Sequence, residues 1–231
     1  MTQEATNPRP VVTSRGRRKS KDQQHTARYD EKLSRVLNAS AALFAEQGYE
    51  RATIREVSHA TNMSLAGLYY YFRSKDELLF LIQLRTFESL IARLNAIIEE
   101  EKDARLCLGK MIKMHFEYFI GNMHDLKICS REIESLKGAF YQKVAEKRKD
   151  YFDLTLSIFE KIAGTTDGSM PDSRLAALYL FGTLNWIYQW YRPGRYPSPE
   201  VMADRLTGIY LYGFPCLPET GNPTDHGDKQ E

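Results

Sequence analysis

Between residues 28 and 214 the apolar residues recur at spacings of three and four, and no segment shows strict alternation. That pattern predicts helices throughout and no strands. The first helix carries Leu33, Val36, Leu37, Ser40, Ala41 and Phe44 on one face and stops at Gly48, a residue suited to a left-handed position just past a helix end. Thr53 then has the chemistry of an N-cap, with Glu56 three residues on as its capping-box partner. The short helix that follows turns Ile54, Val57 and Ala60 inward. Thr61-Asn62-Met63 interrupts it, and Asn is the non-glycine residue that best tolerates a left-handed turn. Ser64 caps a third helix with Leu68 and Phe72 four apart on its buried side. Ser74 caps a fourth, with Glu77 forming a second capping box.

The same period continues beyond. A long amphipathic helix is predicted from Asp76 to Glu101, and a Met- and aromatic-rich one from Leu106 to Ile120. Further helices follow over 125–136 and 139–163, then a loop from Gly164 to Pro171. Asp172 caps a helix running to about Tyr191. Ser198-Pro199-Glu200 opens the last, with proline at its first position. The helix over 174–191 is apolar nearly all round, so it needs cover on more than one side. The final helix, with Val201, Met202, Leu206, Ile209 and Tyr210, offers a second apolar face.

The ends differ from this middle. Residues 1–27 are polar, hold prolines at 8 and 10, and show no period, so they read as a flexible arm; residues 215–231 read as a disordered tail. The whole chain of 231 residues has a formal net charge of only +2. Residues 1–28, however, hold seven basic against two acidic residues, a local charge of +5 that suits a polyanion partner. The three cysteines, Cys107, Cys129 and Cys216, are widely spaced, which argues against a disulfide framework and for a reducing cytoplasm. No apolar run approaches the ~18 residues of a membrane span. The basic N-terminus is followed by no apolar segment of the kind a signal peptide needs. Neither histidines nor cysteines have metal-ligand spacing, so no metal and no resident cofactor are expected. No Ser-His-Asp set or phosphate-cradling glycine loop is present. His115 and Glu117 lie on different faces of one helix, so the chain does not read as an enzyme.

Two short helices joined by a tight turn form the bihelical unit that fits a DNA major groove. The groove-facing residues would be Ser64, Leu65, Ala66 and Gly67, small or apolar groups that let the backbone approach. Tyr69, Tyr70 and Tyr71 follow, and at about 100° per residue at least one hydroxyl must face outward, placed to donate to phosphate. The runs Phe44-Ala-Glu-Gln-Gly-Tyr-Glu-Arg-Ala-Thr53, Ile54-Arg-Glu-Val57, Met63-Ser-Leu-Ala-Gly-Leu-Tyr-Tyr-Tyr-Phe72 and Ser74-Lys-Asp-Glu-Leu78 resemble the head of TetR-family regulators over about fifty residues. Asn62 stands where the family usually has glycine, and Leu65 where many members have a polar group. The resemblance implies that Thr53 and Arg55 touch backbone or base, that Ser64 to Gly67 line the groove, and that Tyr69, Tyr70, Tyr71 and Lys75 include the phosphate contacts. Arg15, Arg17 and Arg18 of the arm would enter a minor groove or lie along phosphates.

The resemblance also implies an all-α fold. Residues 1–27 would be the basic arm, 28–75 a three-helix helix-turn-helix head, 76–214 an effector-binding and dimerisation domain, and 215–231 the tail. A homodimer built on a four-helix bundle would then read a palindromic operator in double-stranded DNA. Residues 125–213, with Arg131-Glu132, Glu134, Tyr141, Lys147-Arg148-Lys149 and Asn185-Trp186 through Gly194, are similar to the branch that senses acyl-CoA thioesters. On that reading Met111, Met114 and Phe119 wall an apolar tunnel. Arg148, Lys149 and Arg192 meet phosphates, and Asn185, Trp186 and Trp190 contact the ligand. Two alternatives stand beside it. One is a repressor sensing a drug or aromatic compound; the other is an architectural DNA binder with no effector.

Overall fold

The computed structural model describes residues 14–165 and 172–213. Ten helices account for its regular structure, and no strand occurs among the described residues. The predicted tail, the first part of the arm and most of the loop from Gly164 to Pro171 lie outside the described residues.

The head consists of α1 (Ser14–Gln47), α2 (Ile54–Thr61) and α3 (Leu65–Leu68). Helix α1 begins much earlier than the apolar period suggested. Residues 14–27, read as an irregular arm, continue the helix, so Arg15, Arg17 and Arg18 fall in its first turns. Past Gly16 this stretch is rich in Arg, Lys and Gln, all good helix formers, so backbone propensity extends a helix whose sequence has no apolar period there. Val36, Leu37, Ala41 and Phe44 of α1 pack with Val57, Leu68, Phe72 and Leu78 into the head core.

The turns behave as local chemistry dictates. Gly48 sits at φ +88°. Thr53 and Glu56 form the reciprocal capping box, an arrangement whose removal costs helices about 1 kcal/mol. Asn62 sits at φ 54°, ψ 40°. Its N–H donates to His59 O at 3.2 Å and the N–H of Met63 to Ser58 O at 3.2 Å, the paired bonds of a Schellman ending. Two expectations change. Ala60 is exposed and Thr61 takes the buried place, because α2 runs to its last turn at 54, 57 and 61. Ser74 caps α4, but Glu77 accepts from the N–H of Arg73 rather than of Ser74, so that box is shifted by one residue.

The body comprises α4 (Lys75–Glu100), α5 (Ala104–Gly121), α6 (Met123–Arg131), α7 (Gly138–Ala163), α8 (Ser173–Asn185), α9 (Ile187–Trp190) and α10 (Pro199–Tyr212). Helix α6 stops at Arg131, short of the predicted 136. The single helix expected to Tyr191 breaks at Trp186, within an aromatic run of modest helix propensity. Helices α4 and α7 lie together, with Phe80 stacked on Phe140 at 4.6 Å, and α10 packs on α5. Helix α6 is pinned to α4 at two points. Buried Asp125 accepts from Arg85 at 3.2 Å and from Thr86 at 3.4 Å, and Gln83 Nε2 donates to Glu132 O at 3.1 Å. Helix α6 also packs on α1 of the head. The cover that the apolar helix α8 requires is not found within the described residues. Leu175 and Tyr179 of α8 and Val201 and Tyr212 of α10 remain exposed.

Candidate nucleic-acid interface and effector cavity

On the head, the turn between α2 and α3 presents Ser64, Leu65 and Ala66 to solvent. Helix α3 is a single turn, and Tyr69, Tyr70 and Tyr71 lie beyond it in a turn of their own rather than on the helix as expected. Tyr69 and Tyr70 point out, 51% and 66% exposed, with hydroxyls open to a partner. Tyr71 turns in against Tyr29, whose ring lies 5.0 Å away and which sequence reasoning missed. Arg55 is exposed and forms no ion pair among the described residues.

Two residues assigned to DNA have local employment. Thr53 Oγ1 accepts from the N–H of Glu56 at 3.3 Å and donates to its carboxylate at 2.9 Å, so its hydroxyl is filled by the capping box. The Lys75 ammonium donates to the carbonyls of Tyr49, Glu50 and Ala52 at 2.9, 3.1 and 3.4 Å. It also sits 4.4 Å from the centre of the Tyr49 ring. Tyr49 in turn donates its hydroxyl to Asp76. Burial, then that bond, raises the phenol's pKa. Lys75 and Asp76 thereby clamp the loop after α1 onto the start of α4. Gly67 has a local reason too. Its N–H donates to Ser64 Oγ at 3.1 Å, and a Cβ there would meet that oxygen at 3.2 Å.

In the body, five helices line a half-open cavity of about 350 Å³. Helix α4 contributes Phe87 and Leu90, α5 His115 and Phe119, and α6 Leu126 and Cys129. Tyr151 and Phe152 come from α7, Phe181 and Asn185 from α8. The walls are mostly apolar, with cations at the edge. Arg148 donates to Cys129 O at 2.7 Å and lies over the Phe87 ring. Lys149 pairs with Asp153, and Arg174 lies over Phe152. An adjoining depression of about 290 Å³ shares Ser130, Arg148, Phe181 and Asn185 with the cavity and adds Trp186 and Tyr188.

The structure therefore brings Phe119, Arg148 and Asn185 together, with Trp186 at the rim. It does not bring the other predicted effector residues there. Met111 and Met114 are packed in the core, and α5 shows the cavity His115 and Phe119 instead. Trp190 packs against Tyr191 and Tyr196, and Arg192 is exposed, donating to Tyr191 O at 2.7 Å. Sequence reasoning missed Phe87, Leu90, Tyr151, Phe181 and His115. The one available signal for His115 was its place, four residues from both Met111 and Phe119, on an apolar stripe where a polar ring needs a purpose.

Comparison with known proteins gives matches in both halves. Residues 36–82 match the family described as bacterial regulatory proteins, tetR family, and residues 101–214 match the tetracyclin repressor-like C-terminal domain. The transcriptional repressor KstR2 of Rhodococcus jostii is 26% identical over 183 residues, covering 78% of this chain and 89% of KstR2. The fatty acid metabolism regulator protein of Bacillus subtilis is 25% identical, covering 67% of this chain and 80% of its own. Among solved structures, the regulator PfmR of Thermus thermophilus superposes with a TM-score of 0.72 at 27% identity, covering 78% of this chain and 98% of PfmR. AibR, solved in complex with isovaleryl coenzyme A and operator DNA, shares the fold with a TM-score of 0.70 at 22% identity, covering 77% of this chain and 97% of AibR.

Proposed function

The chain belongs to the TetR family of transcriptional regulators, and from that premise we propose that it is a repressor whose head holds a palindromic operator until a CoA thioester fills the cavity of its body. The observation that carries the effector class is the cavity itself, with apolar walls, Arg148, Lys149 and Arg174 at its edge, and a rim bearing Trp186. An acyl chain suits the walls, the phosphates suit the cations, and adenine suits an exposed indole. The names of KstR2 and of the fatty acid regulator, and the ligand of AibR, support the same class.

Coupling follows from shared walls. Helices α4 and α6 line the cavity, α4 starts at the clamped loop of the head, and α6 packs on α1. A ligand that prefers one arrangement of α4 and α6 must shift the head by its difference in affinity for the two states. The exposed apolar residues of α8 and α10 supply the homodimer surface, and two heads about one DNA turn apart read two half-sites. Arg55, Tyr69 and Tyr70 are the polar groups open to DNA beside Ser64 to Ala66. Such a regulator acts on the chromosome, in the cytoplasm.

The test is a thermal-shift panel of CoA thioesters, free CoA and the matching free acids, with operator release followed by fluorescence anisotropy. Saturation at about 100 Kd adds about 2.7 kcal/mol, a rise of several degrees for a chain of this size. Thioesters are expected to shift the melt and release the operator, and the free acids to do neither. Response to aromatic drugs alone would favour a drug sensor. Weak sequence preference with release by no small molecule would favour an architectural binder.

A further inference from the structure

Apart from the cations at its edge and Ser130, the polar lining of the cavity is a cluster drawn from three helices, His115, Tyr151 and Asn185. His115 of α5 is 1% exposed. Its Nδ1 lies 3.0 Å from the hydroxyl of Tyr151 on α7. The imidazole also packs against Phe119, with ring centres 4.7 Å apart, and faces Phe181 at 6.2 Å. Its other nitrogen, Nε2, is buried and makes no hydrogen bond. Asn185 of α8 lines the cavity beside it and acts on the imidazole as a side-chain hydrogen-bond partner, short of a bond of ordinary geometry.

A buried polar atom without a partner is costly, and native interiors satisfy nearly all of them. The tautomer follows from the Tyr151 contact. A phenol is the stronger acid and a neutral imidazole nitrogen the stronger base, so Tyr151 donates to Nδ1 and the proton of the ring sits on Nε2. Burial pushes the imidazole down to about 3, so the ring is neutral and keeps that tautomer at physiological pH. Nε2–H is then a donor with no bond of ordinary geometry, and the Asn185 side chain beside it is the neighbour that an effector's acceptor would join or replace. Resting on the CoA-thioester reading above, we propose that His115, held in this tautomer by Tyr151, donates from Nε2 to the thioester carbonyl oxygen of the effector, with Asn185 completing the polar floor. With the phosphates at the cationic edge, the pantetheine arm carries the thioester inward to this depth. A ligand lacking the carbonyl would leave the donor unmet.

The experiment compares octanoyl-CoA with S-octyl-CoA, the thioether in which a methylene replaces the carbonyl, by titration calorimetry on the full chain. The unaltered protein is expected to bind the thioester about tenfold tighter, the worth of one buried hydrogen bond. His115→Phe is expected to bring the ratio close to one, and His115→Gln, which retains a donor, to restore part of it. Tyr151→Phe removes the lock on the tautomer and is expected to lower the ratio to about threefold, which keeps the test open if His115→Phe does not melt cooperatively. Equal binding of the two ligands by the unaltered protein overturns the role of His115 and leaves the CoA reading intact. A tenfold ratio that survives His115→Phe does the same. Failure of both ligands to bind overturns both.

Discussion

Replacing Lys75 by Met separates two uses of one cation. The family resemblance gives Lys75 to a DNA phosphate, whereas the structure gives its ammonium to the carbonyls of Tyr49, Glu50 and Ala52. Met keeps the length and apolar stem of the side chain, so the substitution removes the charge and its donors and little packing. Hydrogen bonds from a charged donor are worth about 1.5–3 kcal/mol each when well formed. Two of the three are short, the third is long at 3.4 Å, and the site is only part-buried. Water can replace part of what is removed, so the expected destabilisation is about 2 kcal/mol. At an m value of about 2 kcal/mol/M this lowers the urea midpoint by about 1 M. The dependence of operator affinity on salt is expected to stay as it is, because the substitution frees no phosphate. A phosphate role predicts the reverse. Removing one cation from a phosphate lowers the slope of log K against log salt by about 0.9 and leaves stability nearly alone. An unchanged urea midpoint with a slope reduced by about one would refute the structural account.

Two further outcomes concern stability. Asn62→Val places a β-branched residue at φ 54° and is expected to cost about 1–2 kcal/mol, read as a lower melting temperature, whereas Asn62→Gly is tolerated; equal melts for the two would show that the turn is not held left-handed. His115 supplies a pH dependence of known sign. Its folded value is pushed down to about 3 from an ordinary 6.5. The unfolded chain therefore gains a proton below about pH 6.5 that the native state refuses until about pH 3. Stability is full above that window and falls as pH drops through it, by about 1.4 kcal/mol per unit. Urea unfolding at pH 7 and 5.5 is expected to show a drop about 1.4 kcal/mol smaller for His115→Gln, and identical drops would mean that the native ring protonates freely.

The amino-acid sequence by itself determined the helical class, the helix-turn-helix head and most of the punctuation. Gly48, Thr53 with Glu56, Asn62, Ser64, Ser74 and Ser198 act on backbone groups within about four residues, so their chemistry is complete in a short window. The uncovered face of α8 follows from helical geometry and composition in the same way, whereas Tyr69 and Tyr70 face outward from a turn that the helical reading did not foresee. Where the chain comes together with itself, the window is too short. Lys75 reaches carbonyls 23 to 26 residues back, which no local pattern announces. Periodicity marks the apolar stripe of α5 but not which stretch of it meets neighbouring side chains and which meets a void. Met111 met other side chains, while His115 and Phe119 met the cavity. Trp190 and Arg192 do not line the cavity for the same reason: the helix expected to reach Tyr191 breaks at Trp186, and Trp190 packs on Tyr191 and Tyr196 instead. Only the packing of α4 to α8 decided where a cavity opens and which side chains line it.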